Sequence, residues 1–123
     1  NNTVFPLFKG SMNHQRSYTY VSDIIDGMTA VIDKWDLAKG EIFNLGNSTA
    51  ISTGEGLRTI EEIMNKKVKI EELPHRPGDQ LTTCADITKA RNLLRYNPKV
   101  SPREGLERTV AWYQKEIAGQ IEY

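Results

Sequence analysis

The chain has 123 residues, enough for one domain that buries well over half of the surface its unfolded form exposes. Sixteen Lys and Arg offset sixteen Asp and Glu, so the formal net charge is zero. That balance excludes a long-range field for nucleic acid, an anionic membrane or an acidic partner, and any charge recognition must be local.

The first strand expected is residues 3–8. A helix follows over residues 22–35, where Val21, Ile24, Ile25, Met28, Val31, Ile32 and Trp35 recur at three- and four-residue steps. Ser22 is its expected cap. A second strand is expected at residues 41–45. The next helix opens at Ser52-Thr53-Gly54-Glu55, a capping box in which Ser52 and Glu55 satisfy each other's backbone N–H, with Leu57, Ile60, Ile63 and Met64 facing inward. Residues 67–73 form a third strand candidate. Asp86 is placed to cap a short helix carrying Ile87, Ala90, Leu93 and Leu94, which stops before Tyr96-Asn97-Pro98. The last helix starts at Ser101-Pro102-Arg103-Glu104, combining a capping box with Pro at the first helical position, and Leu106, Val110, Tyr113 and Ile117 form its stripe. Gly10, Gly40, Gly46 and Pro98 punctuate the joints, and no connection is long enough to separate two domains. The fold class is α/β, one domain over residues 1–123 with about four helices and short strands.

Binding a diphosphate needs fixed cations, and the planar fork of Arg suits phosphate oxygens. Arg16 precedes the first long helix, and Arg76 lies in Pro74-His75-Arg76-Pro77-Gly78-Asp79. Pro and Gly stiffen that loop and hold Arg76 and Asp79 three residues apart on a tight turn. On composition alone both arginines read as ordinary solvated surface residues. His14 and His75 flank them and read as solvated loop histidines.

Five segments occur in order: Arg16-Ser17-Tyr18-Thr19-Tyr20-Val21-Ser22-Asp23, then Glu41-Ile42-Phe43-Asn44-Leu45-Gly46-Asn47, then Arg76-Pro77-Gly78-Asp79, then Ala85-Asp86-Ile87-Thr88-Lys89-Ala90, and finally Trp112-Tyr113. Together they resemble the carboxy-terminal half of extended short-chain dehydrogenase/reductase nucleotide-sugar epimerases, most of all the UDP-glucuronate and UDP-glucose 4-epimerase branch. Ser17 and Ser22 stand where that family usually has acidic residues, and residues 9–15 form a longer stretch than its usual turn. The resemblance implies that this is the small substrate-binding subdomain of an NAD-dependent epimerase whose Rossmann domain lies outside the chain. It implies that Arg16 and Arg76 contact the nucleotide diphosphate of a UDP-sugar, that Asp79 bonds the ribose hydroxyls and that Tyr18 lies near the nucleotide. A sugar-nucleotide dehydratase or decarboxylase of the same superfamily, or a non-catalytic binding module, are the other readings.

No G-x-G-x-x-G turn and no Tyr-x-x-x-Lys pair is found, so neither a catalytic residue nor NAD binding is expected on this chain. Glu61-Glu62 and Glu71-Glu72 point apart as neighbours and read as solvated faces. Trp35, Trp112 and Tyr113 read as core or interface. The single Cys84 excludes a disulfide framework and a Cys-rich metal site, and its expected place is that of a small buried apolar residue. No apolar run reaches the length of a membrane span, and the start Asn1-Asn2-Thr3 has no signal-peptide character, so no membrane partner and a cytoplasmic location are expected. In the resembled family the dinucleotide-binding domain pairs with the segment at residues 41–46 and covers the first helix, so without that neighbour a symmetric homodimer is expected.

Overall fold

The computed structural model describes residues 4–118. Thr3, at the start of the first expected strand, lies outside the described residues.

The best-signed helices form where local chemistry demands them. In α3 (Thr53–Met64) the Ser52 hydroxyl accepts from the Glu55 N–H at 3.1 Å, and the Glu55 carboxylate accepts from the Ser52 N–H at 2.7 Å. In α5 (Pro102–Glu116) Ser101 accepts from the Glu104 N–H at 3.2 Å with Pro102 in the first turn. Only half of that expected box forms, because the Glu104 carboxylate turns to Arg108 at 2.6 Å instead. In α4 (Thr88–Leu94) the cap is Ile87, without a side-chain bond, and not Asp86 as expected; Asp86 accepts from the Thr88 N–H at 2.9 Å, and the Thr88 hydroxyl and N–H hold its carboxyl below the usual carboxylate range.

The long first helix differs from expectation. It starts at Val21 with Tyr20 as its unbonded cap, so Ser22 is inside the first turn. It also breaks at Lys34 into α1 (Val21–Asp33) and a single turn α2 (Trp35–Ala38), making five α-helices among the described residues where four were expected. Lys34 leaves helical geometry, and its ammonium donates to the Leu94 carbonyl at 2.5 Å, closing the end of α4.

Where three strands were expected, five short ones form among the described residues, in two small sheets. In the first, β1 (Phe5–Phe8) lies parallel to β4 (Ile70–Leu73), with Phe5 opposite Ile70 and Phe8 opposite Leu73. In the second, β2 (Gln15–Arg16) is central, antiparallel to β3 (Ile51–Ser52) and parallel to β5 (Thr82–Thr83). Residues 41–45, expected as a strand, form none, since no strand among the described residues runs beside them to complete a ladder.

The core is Ala38, Ile87, Ala90, Leu94 and Tyr96, with Ala30, Val31, Phe43, Leu45 and Ala85 packed on it. Helix α1 turns Asp23 and Gly27 inward, with Ile24, Ala30 and Val31 half-buried beside them. A Cβ at Gly27 would sit 2.7 Å from a Leu45 methyl, so only glycine permits the observed approach. Its apolar stripe points away: Val21, Ile25, Met28, Ile32 and Trp35 are all exposed, Ile32 at 73%. Trp35, Trp112 and Tyr113 are therefore not core. Leu57, Ile60, Ile63 and Met64 of α3 are half-buried, and α3 packs against α5. Cys84 is exposed, contrary to expectation, because the β5-to-α4 connection runs over the surface there.

Candidate functional site

Arg16 is fixed by its strand. The N–H groups on either side of it, those of Gln15 and Ser17, donate to Leu81 and Thr83 carbonyls at 2.8 and 3.2 Å, tying β2 to β5. The segment before β5 is the expected turn: the Asp79 N–H reaches the Arg76 carbonyl at 3.4 Å, and Gly78 takes φ +80°, which suits glycine. Strand pairing thus carries Asp79 to Arg16 across the sequence.

The Arg16 guanidinium lies 3.4 Å from Asp79 Oδ1 and also donates to the Gln15 carbonyl at 2.8 Å. Asp79 Oδ2 accepts from the Ser11 hydroxyl at 3.5 Å and lies 3.2 Å from His14 Nδ1. That last pair is close but not aligned as a hydrogen bond, so His14 Nδ1 has no partner of good geometry. Arg76 stays exposed on the same turn as Asp79, its guanidinium 5.7 Å above the Phe8 ring of β1. One cation touches the carboxylate and a second stands exposed on the turn that carries it, so two guanidinium groups are available to an anion here. Beside them a cleft of about 460 Å³ is lined by Lys9, Asn13, His14, His75 and Thr82.

Tyr18, two residues past Arg16, is exposed at 38%. Its ring lies against Gly56 and borders a separate hollow of about 120 Å³ with Tyr20, Ser101 and Leu106. Of the four expected binding residues, Arg16 and Asp79 are in contact, Arg76 shares the turn of Asp79, and Tyr18 faces this neighbouring hollow.

His14 corrects the sequence reading. Expected as solvated, it is 5% exposed, since the 3-10 turn Ser11–Asn13 and the first turn of α3 enclose it. His75 is exposed as expected. The shared segments also turn out to be partly architectural. Asp23, 2% exposed, accepts from the Lys99 and Val100 N–H groups at 3.0 and 3.1 Å. Asn47 donates to the Val100 carbonyl at 3.0 Å and binds the Thr19 hydroxyl through its own N–H at 2.8 Å. These bonds pin the approach to α5 against α1.

The start of α3 offers no open phosphate cradle. The two glycines nearest a helix start, Gly54 and Gly56, are packed over: a Cβ at Gly54 would meet the Met12 carbonyl at 3.1 Å, and one at Gly56 the Tyr18 ring. The capping box also occupies that helix end. No helix among the described residues is long and apolar enough to cross a membrane.

A small α/β lobe carrying a strand-borne arginine beside an aspartate on a tight turn has the build of the small carboxy-terminal subdomain of an extended short-chain dehydrogenase/reductase, and solved epimerases superpose on it. Residues 3–109 match the model of the family described as GDP-mannose 4,6 dehydratase, and the chain belongs to that family. It is 37% identical to the UDP-glucuronate 4-epimerase of Thermodesulfobacterium geofontis over 88% of this chain and 33% of that protein. It is 32% identical to UDP-glucuronic acid decarboxylase 1 of Arabidopsis thaliana over 92% of this chain and 25% of that protein. The crystal structure of UDP-glucuronic acid 4-epimerase from Bacillus cereus, in complex with UDP-glucuronic acid and NAD, superposes with a TM-score of 0.83 at 31% identity. It covers 93% of this chain and 36% of that one. The chain spans about a quarter to a third of the length of the curated relatives it matches.

Proposed function

We propose that this chain supplies the nucleotide-sugar grip of an NAD-dependent nucleotide-sugar epimerase. In this reading residues 1–123 are its substrate-binding domain, and a dinucleotide-binding domain on the amino-terminal side holds NAD and the catalytic pair. The observation that carries it is the Arg16–Asp79 contact, made across 63 residues of sequence, with Arg76 on the same turn.

Arg16 and Arg76 hold the diphosphate, because a guanidinium offers parallel donors to phosphate oxygens. Asp79 accepts from the ribose hydroxyls, and Tyr18 borders the nucleotide with its aromatic face. The nicotinamide supplies hydride removal and return at the sugar carbon, and this chain's residues hold the substrate still while that occurs. UDP-glucuronate is the substrate favoured by the similarity to UDP-glucuronate 4-epimerases and UDP-glucuronic acid decarboxylases. The isolated chain is inactive and does not bind NAD.

A decarboxylase of the same superfamily is the second reading, favoured by the Arabidopsis relative. A binding screen of UDP-, dTDP- and GDP-sugars against the full-length protein, followed by product analysis with UDP-glucuronate, separates the readings. An epimeric hexuronate nucleotide supports the epimerase; a pentose nucleotide with release of carbon dioxide supports the decarboxylase. Failure to bind any nucleotide sugar overturns both.

A further inference from the structure

We propose that His14 is a positioning residue that keeps Asp79 aimed at its ligand when Arg16 turns from Asp79 to a diphosphate. This rests on the reading above, in which Arg16 takes phosphate and Asp79 takes ribose hydroxyls.

The two oxygens of Asp79 are held from opposite sides. Oδ1 faces Arg16 at 3.4 Å, and Oδ2 faces His14 Nδ1 at 3.2 Å and the Ser11 hydroxyl at 3.5 Å. The Arg16 contact is long for a charge-assisted bond, and the Arg16 side chain is 30% exposed, so it exchanges readily for a phosphate oxygen. That exchange frees Oδ1 as an acceptor, but it also removes the carboxylate's cation. Unless something else holds Asp79, its side chain then regains rotamer freedom and the hydroxyl contact weakens.

His14 is built to hold it. Its ring is buried, and Nδ1 has no aligned partner, a state that is costly for a buried polar atom. Its backbone is clamped: the His14 carbonyl accepts from the Thr53 N–H at 2.9 Å and from the Thr53 hydroxyl at 3.3 Å, and the His14 N–H donates to the Ser11 carbonyl at 3.1 Å. A ring so fixed changes place little when Arg16 moves. With its proton on Nδ1, a small ring rotation aligns a donor onto Oδ2, and Oδ1 is left for ribose.

The test is calorimetric binding of UDP and of dideoxy-UDP, which lacks both ribose hydroxyls, to the full-length protein. His14→Leu and His14→Ser both remove the donor, one keeping bulk and the other polarity. His14→Asn keeps an amide donor where Nδ1 stands. We expect the two donor-free variants to bind UDP about tenfold more weakly, the worth of one hydrogen bond. Their affinity for dideoxy-UDP stays at the wild-type value, and His14→Asn stays near wild type with both ligands. Equal losses on the two ligands, which would mark a merely structural role, or no loss on UDP, overturn the proposal. Having two donor-free variants keeps the test decisive if one of them fails to fold. If the wild-type protein does not distinguish UDP from dideoxy-UDP, the ribose role of Asp79 fails first, apart from anything His14 does.

Discussion

Removing the Asp23 carboxylate should destabilise the protein far more than breaking a surface ion pair. Asp23 is 2% exposed, and its two oxygens accept from the N–H groups of Lys99 and Val100. Hydrogen bonds to a charged group are worth roughly 1.5 to 3 kcal/mol each. In Asp23→Ala the Lys99 N–H can turn to water because Lys99 is exposed, but Val100 is 7% exposed and its N–H is stranded. The cost should therefore be about 3 to 4 kcal/mol, the full loss at Val100 plus part of that at Lys99. Asp23→Asn retains one acceptor and points its amide N–H₂ at the other donor, so about half of that loss is expected. As a control, Glu62→Gln removes the charge from the exposed pair in which two Arg103 N–H groups donate to Glu62 Oε2, and should shift stability little. Urea unfolding reads the difference as a shift in midpoint at constant slope. An Asp23→Ala midpoint that matches the Glu62→Gln control would refute the view that this carboxylate pins α1 to the start of α5.

The Ser52 backbone N–H and hydroxyl hold the Glu55 carboxyl below the usual carboxylate range. Its stabilisation is complete above the unfolded-state pKa and is lost as pH falls through the lower folded value. Glu55→Gln should thus melt earlier than wild type at neutral pH and converge with it in acid; curves that stay parallel would contradict this. The outward stripe of Val21, Ile25, Met28, Ile32 and Trp35, where covering each side chain is worth roughly 1.5 to 3 kcal/mol, should drive the isolated chain into a symmetric dimer. Light scattering over a range of concentrations checks this, and a strictly monomeric chain would show that the stripe needs no cover.

What could be read from the sequence was what is written locally. The caps at Ser52 and Ser101 are short-range chemistry, and both helices start where those residues stand. The period of α1 was equally clear, yet periodicity reports that an apolar face exists and not which neighbour covers it. Here the face turned to the chain's own core is the one carrying Asp23 and Gly27. The two-residue strands β2, β3 and β5 are too short to show alternation, though they are what bring Arg16 and Asp79 together. Residues 41–45 have strand composition, but a strand is completed by a partner, which composition cannot supply. His14 carried no local sign of burial because its surroundings, Asp79 and Thr53, come from distant segments. The resemblance fared better than composition because its ordered segments include the structural pins Asp23 and Asn47 as well as the arginines.

The central claim is that Arg76 and Arg16 form a clamp for the diphosphate of a nucleotide sugar. Its most direct test is calorimetric titration of UDP-glucuronate into the full-length protein and its Arg76→Ala, Arg76→Lys and Arg16→Ala variants. Each alanine should cost roughly 1.5 to 3 kcal/mol of binding free energy, and lysine should recover only part, since an ammonium cannot make the bidentate fork. Wild-type affinity for UDP-glucuronate in Arg76→Ala would make the turn a surface feature and contradict the account.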